Sequence, residues 1–333
     1  MRLAAWGTKS DTLLDRKKSP GFDLRSVHRL PAGMMRNHRF FETNQHSSLR
    51  LLAGLICGLL AGTTHAQTPA AAPVAPTFTA TPAPAAPVRA PLNPALPTLF
   101  VIGDSTASNG ARGGWGDPLS DYFDSAKINV ANRARGSRSS RSFQLEGHWA
   151  NALQEMKAGD YVLIQMGQND GRPLQNMPAR SSLPGTGEET QEVTLPNGTK
   201  DTVHTFGWYL RKYIVDTRAK GATPILLSLT AKNLWSETGQ NRRPYDNYPK
   251  WTQEVAQAEK VPFLDHINIM GEQFDRMGQE KAAPFFRDST HTTEAGADLN
   301  AAGVVAGLKQ LDCPLVKFLS AKGQAVPPYV PAK

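Results

Sequence analysis

Cysteine is scarce in this sequence: 333 residues contain two, Cys57 and Cys313. Cys57 lies in a segment that we expect to be removed on export, which leaves Cys313 alone. A single cysteine cannot form an intrachain disulfide, so the mature chain is not a disulfide-stabilised scaffold. Cys57 could instead be a lipidation site, but the residues before it, 54–56, match a lipoprotein signal poorly.

The sequence also lacks a long apolar run in its N-terminal part. The apolar segment there, residues 51–62, has 12 residues. A membrane-spanning helix needs about 20, so this segment is too short to be one. Arg50 precedes the segment, and the small residues Thr64 and Ala66 follow it. This pattern predicts a signal peptide cleaved after Ala66 and a periplasmic or secreted protein. A buried core helix is the alternative, and Met34 or Met35 are alternative starts that give a signal of ordinary length.

Most of the chain lacks an excess of basic residues, although its net charge is +8. Residues 1–66 hold 10 Lys/Arg and 4 Asp/Glu, and the rest holds 27 and 25. The positive excess therefore precedes the apolar segment, as an export signal requires, and a nucleic-acid partner is not expected. With 40% hydrophobic and 20% charged residues, the composition is that of a globular protein.

The chain divides into four parts by composition. Residues 1–66 form an N-terminal extension with the signal peptide, and residues 67–97, mostly Ala, Pro and Thr, predict an extended linker. A folded domain is expected over residues 98–320, followed by a loose, proline-containing tail over 321–333.

Within the domain, short apolar runs alternate with longer helical patterns. The strand candidates are 99–103, 128–132, 161–166, 224–229 and 262–265, and the helix candidates are 142–157, 203–219, 245–259 and 293–310. Continuous apolar strands alternating with helices predict an α/β fold, a three-layer sandwich around a parallel sheet. Residues 170–202, rich in Gly, Pro, Ser and Thr, predict a long functional loop after the third strand.

Ser105 ends the first apolar strand in the sequence Gly103-Asp104-Ser105. A nucleophile at the carboxyl edge of a sheet is exposed to substrate, and the turn lets its own N–H point at a developing oxyanion. A capped turn without catalytic function has the same sequence, so Ser105 alone is a weak signal.

Asp288 and His291 stand three residues apart before the last helix. A serine hydroxyl needs an imidazole to accept its proton, and the imidazole needs an acceptor to orient it. One loop can supply both groups. The alternative is a helix-capping loop with an incidental histidine. Among the other domain histidines, 148, 204 and 266, only His266 is directly preceded by an acidic residue, Asp265.

Two further segments follow the second and third strands. Asn169 can donate its amide to an oxyanion, and the backbone N–H of Ser137, or alternatively of Gly136, can reach the same atom. Ordinary turns are the alternative in both places. We also expect substrate contacts from a small set of polar residues: Arg138, Gln168 and Asp170. Arg135, Arg138 and Arg141 could bind an acidic sugar polymer or be merely solvated.

The combination resembles the SGNH (GDSL-like) hydrolases, and more closely their rhamnogalacturonan acetylesterase-like branch. The similar stretches are Gly103-Asp-Ser-Thr106, Gly114-Trp-Gly116, Asn132-x-Ala134, Arg138-Ser-x-Arg-Ser142, Gly167-x-Asn-Asp170, Asp288-x-x-His291-Thr and Ala295-Gly-Ala297. The resemblance implies a flavodoxin-like five-stranded parallel sheet. It also implies removal of acetyl groups from pectic or related polysaccharide without metal or organic cofactor.

The sequence departs from that family at two positions. Ser137 stands where the family usually has glycine, and Gln168 where the branch often has histidine. If position 137 needs positive φ, a strain of about 1–3 kcal/mol arises. The leading hypothesis is an exported serine esterase for acetylated polysaccharide or a small ester. The rivals are another SGNH lipase or arylesterase, and a non-catalytic glycan-binding protein on the same fold.

Overall fold

The computed structural model describes residues 91–110, 112–244 and 247–332. The predicted signal peptide and residues 67–90 of the predicted linker lie outside these ranges. A five-stranded sheet lies at the centre of the fold, and a separate two-stranded ribbon precedes its fourth strand in the chain. The strands are β1 (Thr98–Ile102), β2 (Asn129–Asn132), β3 (Tyr161–Ile164), β4 (Thr190–Thr194), β5 (Lys200–His204), β6 (Thr223–Leu227) and β7 (Phe263–Leu264).

The central sheet has the strand order β2-β1-β3-β6-β7, and every neighbouring pair is parallel. The predicted flavodoxin-like sheet is therefore confirmed. All five residues of β1 are buried. Because successive side chains of a strand point to opposite faces, Leu99 and Val101 enter one core while Phe100 and Ile102 enter the other.

Helices cover both faces of this sheet. The α-helices are α1 (Ser140–Leu145), α2 (His148–Glu155), α3 (Phe206–Ala219), α4 (Tyr248–Glu259), α5 (His266–Met277), α6 (Gln279–Ala282), α7 (Glu294–Gln310) and α8 (Ala321–Ala325). Short 3-10 helices span Pro118–Tyr122, Ala283–Phe285 and Pro314–Phe318. Apolar residues of α1 to α4 join the core of Phe100, and those of α5 and α7 join the core of Leu99. The three-layer sandwich is thus confirmed.

The predicted helix over 142–157 is interrupted in the structure. Gly147, between α1 and α2, has φ +78°, a left-handed backbone that glycine adopts without steric cost. The chain therefore leaves the axis of α1 and starts α2 at the next residue. Helix α5 was not among the predicted helices and packs beside α7.

The insertion at residues 170–202 is more regular than the predicted loop. Strands β4 and β5 pair antiparallel around the turn at Asn197-Gly198, where Gly198 has φ +83°. The guanidinium of Arg141, with 2% of its side chain exposed, ties this insertion to α1. Its Nε donates to Asp201 Oδ2 (3.1 Å), and its Nη1 donates to the carbonyl of Ser181 (3.0 Å).

The C-terminal segment, predicted as a loose tail, contacts the domain at several residues up to Ala332, although most of its side chains are exposed. Ser320 caps α8, and Gly323 is buried so closely that a Cβ there would lie 2.2 Å from the carbonyl oxygen of Tyr122. Further along, the Tyr329 hydroxyl donates to Glu272 (2.8 Å). These contacts correct the expectation of a loose tail for residues 321–332. The expectation was based on proline content, which does not indicate contacts with distant residues.

Candidate active site

Ser105 lies three residues beyond the end of β1, at the carboxyl edge of the sheet. The Asp104 carbonyl accepts hydrogen bonds from the N–H groups of Ala107 (3.2 Å) and Ser108 (3.0 Å). The backbone therefore turns at Ser105 as soon as the strand ends, and the serine side chain is left partly exposed.

The preceding carboxyl group holds this turn from inside. Asp104 is buried, and its Oδ1 accepts the backbone N–H (2.8 Å) and the hydroxyl (3.0 Å) of Thr106. Burial raises the pKa of Asp104 to about 6, although the two hydrogen bonds from Thr106 act in the opposite direction. Asp104 thus fixes the shape of the turn rather than facing substrate.

The structure brings Ser105 together with His291 and Asp288. The His291 Nδ1 lies 2.8 Å from Asp288 Oδ2, and its Nε2 lies 3.0 Å from the Ser105 hydroxyl. With Nδ1–H donating to the carboxylate, Nε2 is left to accept the serine proton. The three side chains therefore form one continuous hydrogen-bonded series.

The loop that carries Asp288 and His291 is held by its own hydrogen bonds. Asp288 Oδ1 accepts the backbone N–H groups of Thr290 and His291, both at 2.7 Å. The backbone N–H and the imidazole of His291 lower the pKa of Asp288 to about 2. The Thr292 hydroxyl donates to the carbonyl of Gly113 (2.8 Å), which fastens the loop to the segment after Ser105.

Asn169 follows β3 at the same edge of the sheet. Its Nδ2 donates to the carbonyl of Arg138 (3.0 Å), and its Oδ1 accepts a hydrogen bond from Nη2 of Arg180. The amide is therefore held at both ends, and its second N–H hydrogen has no acceptor among the described residues. Arg180 belongs to the insertion, and no spacing or motif in the sequence identified it.

Ser137 occupies the left-handed position of a β-turn. The turn runs from Arg135 to Arg138 and is closed by a hydrogen bond of 3.3 Å, with Ser137 at φ +67°. A positive φ at the third residue is the type II pattern and normally favours glycine. The conditional expectation of backbone strain at Ser137 is therefore met, at a cost of about 1–3 kcal/mol.

The turn also lies beside the serine. A Cβ built on Gly136 would be 3.7 Å from the Cβ of Ser105. Within the described ranges, the backbone N–H groups of Ser105, Gly136 and Ser137 donate to no acceptor. The turn that carries two of these three uncommitted backbone donors thus packs beside the serine that His291 contacts.

The three residues expected to contact substrate differ in their surroundings. Gln168 is partly exposed and lines a cavity next to Asn169. Arg138 forms a salt bridge with Glu146 (2.8 Å) and donates to the Gly136 carbonyl (3.1 Å), so much of its charge is already paired.

Asp170 is the clear correction among them, since it is fully buried. Its carboxylate accepts the backbone N–H of Ser140 (3.2 Å) and the hydroxyl of Ser182 (2.9 Å). Asp170 therefore joins the start of α1 to the insertion and is not placed to contact substrate.

The other histidines stand apart from this series. His266 is fully buried: Gln165 Nε2 lies 3.1 Å from its Nδ1, and its Nε2 lies 3.1 Å from the Asn300 carbonyl. Burial lowers the pKa of His266 to about 4. His148 lies 3.2 Å from Glu146, and His204 stacks on Trp208.

In residues 91–110, 112–244 and 247–332, no group of three or more His, Cys, Asp or Glu side chains is arranged to hold a metal ion. Across the same residues, no helix is both long enough and apolar enough to cross a membrane.

Comparison with known proteins agrees with this geometry. Residues 101–299 match the GDSL-like Lipase/Acylhydrolase family. The chain is 34% identical over 203 residues to a rhamnogalacturonan acetylesterase of Emericella nidulans, covering 61% of this chain and 80% of that protein. It is 31% identical over 231 residues to a probable rhamnogalacturonan acetylesterase, YesY, of Bacillus subtilis, covering 66% and 96%. The crystal structure of Bacillus subtilis YxiM superposes with a TM-score of 0.54 at 25% identity, covering 66% of this chain and 58% of that one.

The chain belongs to the GDSL-like lipase/acylhydrolase family and is a carboxylic-ester hydrolase with the SGNH fold. Within that family, its similarity to the two acetylesterases places it in the rhamnogalacturonan acetylesterase-like branch.

Proposed function

We propose that this protein is an exported serine esterase that removes O-acetyl groups from a polysaccharide through an acyl-enzyme. The observation that carries the proposal is the hydrogen-bonded series from Ser105 through His291 to Asp288. A hydroxyl becomes nucleophilic at neutral pH when an oriented imidazole accepts its proton.

In the first half of the reaction, the Ser105 Oγ attacks the acetyl carbonyl carbon while His291 Nε2 takes the hydroxyl proton. Asp288 stabilises the imidazolium that forms. The carbonyl oxygen becomes an oxyanion, which accepts hydrogen bonds from the N–H of Ser105, the N–H of Ser137 or Gly136, and the free amide hydrogen of Asn169.

Collapse of this intermediate breaks the bond between the acetyl carbon and the sugar oxygen. His291 gives its proton to that oxygen, and the sugar hydroxyl leaves. Water then attacks the acetyl-serine while His291 accepts the water proton. The second collapse releases acetate and returns the proton to Ser105.

The mechanism is tested by Ser105→Ala with p-nitrophenyl acetate as substrate. Loss of the nucleophile lowers kcat by about 10³-fold or more. Ser120→Ala, at an exposed serine in the 3-10 helix Pro118–Tyr122, is the matched control and keeps wild-type turnover. A fluorophosphonate labels the wild type at Ser105. Wild-type turnover in Ser105→Ala contradicts the mechanism.

The polysaccharide substrate is supported by the names of the relatives and by the cavity at Gln168. Polar side chains in the lining of that cavity, Gln168 and Thr230 among them, can form hydrogen bonds with sugar hydroxyl groups. Acetate release from acetylated pectins and xylans measures the preference. A series of p-nitrophenyl esters from acetate to decanoate separates the alternative, a lipase or arylesterase, because that enzyme favours the longer chains.

Export is supported by the apolar segment 51–62 and the small-x-small pattern at Thr64 and Ala66. N-terminal sequencing of the protein recovered from periplasm or medium tests it. A chain beginning at Gln67 is expected, and a chain retained in the cytoplasm with residues 51–66 intact contradicts it.

A further inference from the structure

Gln165 is the first residue after β3 and is buried beside the strand that leads to Ser105. Its backbone N–H donates to the carbonyl of Ile102 (2.9 Å), and a Cβ built on Gly103 would lie 3.2 Å from its carbonyl oxygen. Gln165 is 1% exposed, so substrate does not reach it. Any effect of this residue on the reaction must therefore pass through its neighbours.

Both ends of the Gln165 side-chain amide are held by hydrogen bonds. Oε1 accepts the indole N–H of Trp115 (2.7 Å) and the hydroxyl of Thr106 (3.2 Å). Nε2 donates to the carbonyl of Ser228 (2.7 Å) and lies 3.1 Å from Nδ1 of His266. A glutamine amide has two lone pairs on its oxygen and two hydrogens on its nitrogen, so these four partners satisfy it fully.

These partners leave the amide one orientation. A reversed amide would turn Oε1 towards the Ser228 carbonyl and Nε2 towards the Trp115 N–H, so like groups would face each other where water is excluded. The same orientation fixes the tautomer of His266, because its Nδ1 must accept the Gln165 hydrogen. The ring proton is therefore on Nε2, which donates to the carbonyl of Asn300 in α7 (3.1 Å).

Thr106, which follows Ser105, connects the amide to the nucleophile. Its hydroxyl lies 3.2 Å from Gln165 Oε1 and 3.0 Å from Asp104 Oδ1. The residues on both sides of Ser105 are thus bound to each other and to the end of β3. The backbone of Ser105 cannot shift without lengthening these bonds.

Trp115 gives Gln165 a second route to the catalytic residues. The backbone N–H of Trp115 donates to the carbonyl of Thr106 (3.0 Å), while its indole N–H donates to Gln165. Two residues earlier, the Gly113 carbonyl accepts the hydroxyl of Thr292 in the loop of the catalytic histidine. This segment therefore contacts both the turn of the nucleophile and the loop of the base, and the Gln165 amide anchors it.

We propose that Gln165 is a positioning residue for the esterase reaction, and that neutral His266 sets the orientation of its amide. The amide holds the turn of the nucleophile in place, and so sets the 3.0 Å distance between the Ser105 hydroxyl and His291 Nε2. Misplacing a reacting group by about 1 Å can lower a rate about 10²-fold. The inference rests on the proposed function and adds a buried residue to its machinery.

Gln165→Leu removes all four side-chain bonds with little change in volume. It is expected to lower kcat for p-nitrophenyl acetate by about 10- to 100-fold with KM changed less than about 2-fold, because the nucleophile is misplaced while the substrate-binding surface is unaltered. Thr217→Val is the matched control. It removes a buried hydroxyl that donates to the carbonyl of Tyr213 (2.7 Å), close to the start of β6 and so at the edge of the sheet opposite Ser105. Both constants should stay within about 2-fold of wild type.

A merely structural role of Gln165 predicts a different result. Partial unfolding lowers the number of active sites but not the turnover of each one. Titration with a fluorophosphonate counts the reactive sites, so kcat can be expressed per site. An unchanged kcat per site in Gln165→Leu, or a loss confined to KM, overturns the inference.

A second pair of variants carries the test if Gln165→Leu does not fold. Thr106→Val removes the hydroxyl that Gln165 Oε1 accepts, and Thr106→Ser retains it. Thr106→Val should lower kcat about 3- to 10-fold, while Thr106→Ser stays within about 2-fold of wild type. Equal kcat in the two variants overturns the inference. Where Gln165→Leu does fold, the double variant with Thr106→Val should lose less than the product of the two single effects, because both changes break one contact.

The orientation of the amide is tested in the wild type. NMR of labelled histidine nitrogens near neutral pH should show His266 neutral, with its proton on Nε2. A proton on Nδ1 would require the Gln165 oxygen to face the ring, and it overturns the inference.

The fluorophosphonate reaction separates this inference from the proposed function, because it needs Ser105 and His291 but no acetylated polysaccharide. A wild type that is labelled at Ser105 but releases no acetate from any oligosaccharide contradicts the proposed substrate. The labelling rate then still decides the role of Gln165. A rate about 10-fold lower in Gln165→Leu than in the wild type supports the positioning role, and an equal rate overturns it.

Discussion

Nη2 of Arg180 donates a hydrogen bond to Oδ1 of Asn169, while Nδ2 of Asn169 donates to the carbonyl of Arg138. The side-chain amide is thereby held between the insertion and the turn that contains Ser137. Arg180 acts on the reaction only through Asn169, which makes it a positioning residue for the oxyanion donor.

Arg180→Ala is expected to lower kcat about 10-fold with KM changed less than 2-fold, because the Asn169 amide loses one of its two restraints. Removing an oxyanion donor outright costs about 10²–10³, so a smaller loss fits a positioning role. Steady-state kinetics on p-nitrophenyl acetate measures both constants. Guanidinium at millimolar concentration should restore part of the loss in the variant.

Arg218→Ala is the control for this experiment, since Arg218 pairs with Glu259 far from the turn at Ser105. It should leave both constants unchanged. A loss confined to KM in Arg180→Ala, or no rescue by guanidinium, rejects the positioning role.

Gly136→Pro decides which backbone N–H of the turn serves the oxyanion. Proline is favoured at the second position of a type II turn, and the space around a Cβ at Gly136 is open to 3.7 Å. The substitution removes only the N–H of residue 136. If Ser137 is the donor, kcat stays within about 3-fold of wild type. A fall of about 10²–10³ assigns the donor to Gly136 instead.

Ser137→Gly should remove the strain of the left-handed serine while keeping its N–H. We expect full activity and a free energy of unfolding that is higher by up to about 1 kcal/mol, because glycine also gains entropy in the unfolded chain. Urea denaturation measures the change. Destabilisation by more than about 1 kcal/mol means that the hydroxyl of Ser137 makes a stabilising interaction.

Asp288→Asn is expected to lower kcat by roughly 10²–10⁴-fold, because the amide cannot stabilise the imidazolium and favours the wrong tautomer of His291. Asp312→Asn, at an exposed residue after α7, is the matched control. The pKa of Asp288 near 2 also has a consequence for pH dependence: the residue stays ionised above pH 4, so loss of activity between pH 4 and 7 comes from another group. Turnover of Asp288→Asn near that of the wild type excludes Asp288 as the orienting residue.

His266 should be neutral in the folded protein at pH 6. Its pKa of about 4 lies below the unfolded value near 6.5, so the unfolded chain binds more protons between these values. Its contribution to stability is therefore lost as the pH falls from 6.5 to 4, by about 3 kcal/mol. Buried Asp104, whose pKa of about 6 is raised, acts in the opposite sense over nearly the same range.

Because these two groups oppose each other, the histidine must be followed directly. Ring resonances of His266 in an NMR titration should move near pH 4 and not near 6.5. The difference in free energy of unfolding between wild type and His266→Gln should shrink as the pH falls through the same range. A ring that titrates near 6.5 contradicts the buried, neutral state.

The sheet could be predicted because its strands are continuous apolar runs ended by Gly, Pro, Asp or Asn. The proximity of Ser105 to Asp288 and His291 could also be predicted, because the carboxyl ends of parallel strands lie at one edge of the sheet. The predicted bounds of α4 and α7 also lie close to the structure, and at α7 a threonine cap explains why: Thr293 accepts the N–H of Gly296.

Other features depend on contacts between distant residues. The bonds of Asp170 to Ser140 and Ser182 span 30 and 12 residues, and no local pattern distinguishes a buried carboxylate from one that binds substrate. The β4–β5 hairpin did have a local signal, the Asn197-Gly198 pair between Val193 and Val203, which the polar composition of the insertion obscured.

The ion pair between Arg141 and Asp201 couples the stability of the insertion to that of α1. Arg141 lies within α1 and is nearly inaccessible to water, so separating it from Asp201 leaves a charge without compensation in the interior. The hairpin and α1 therefore form one cooperative unit. Their amide hydrogens should exchange with solvent at similar rates, and loosening the hairpin should loosen the strand-to-helix turn that presents Ser137 to the substrate.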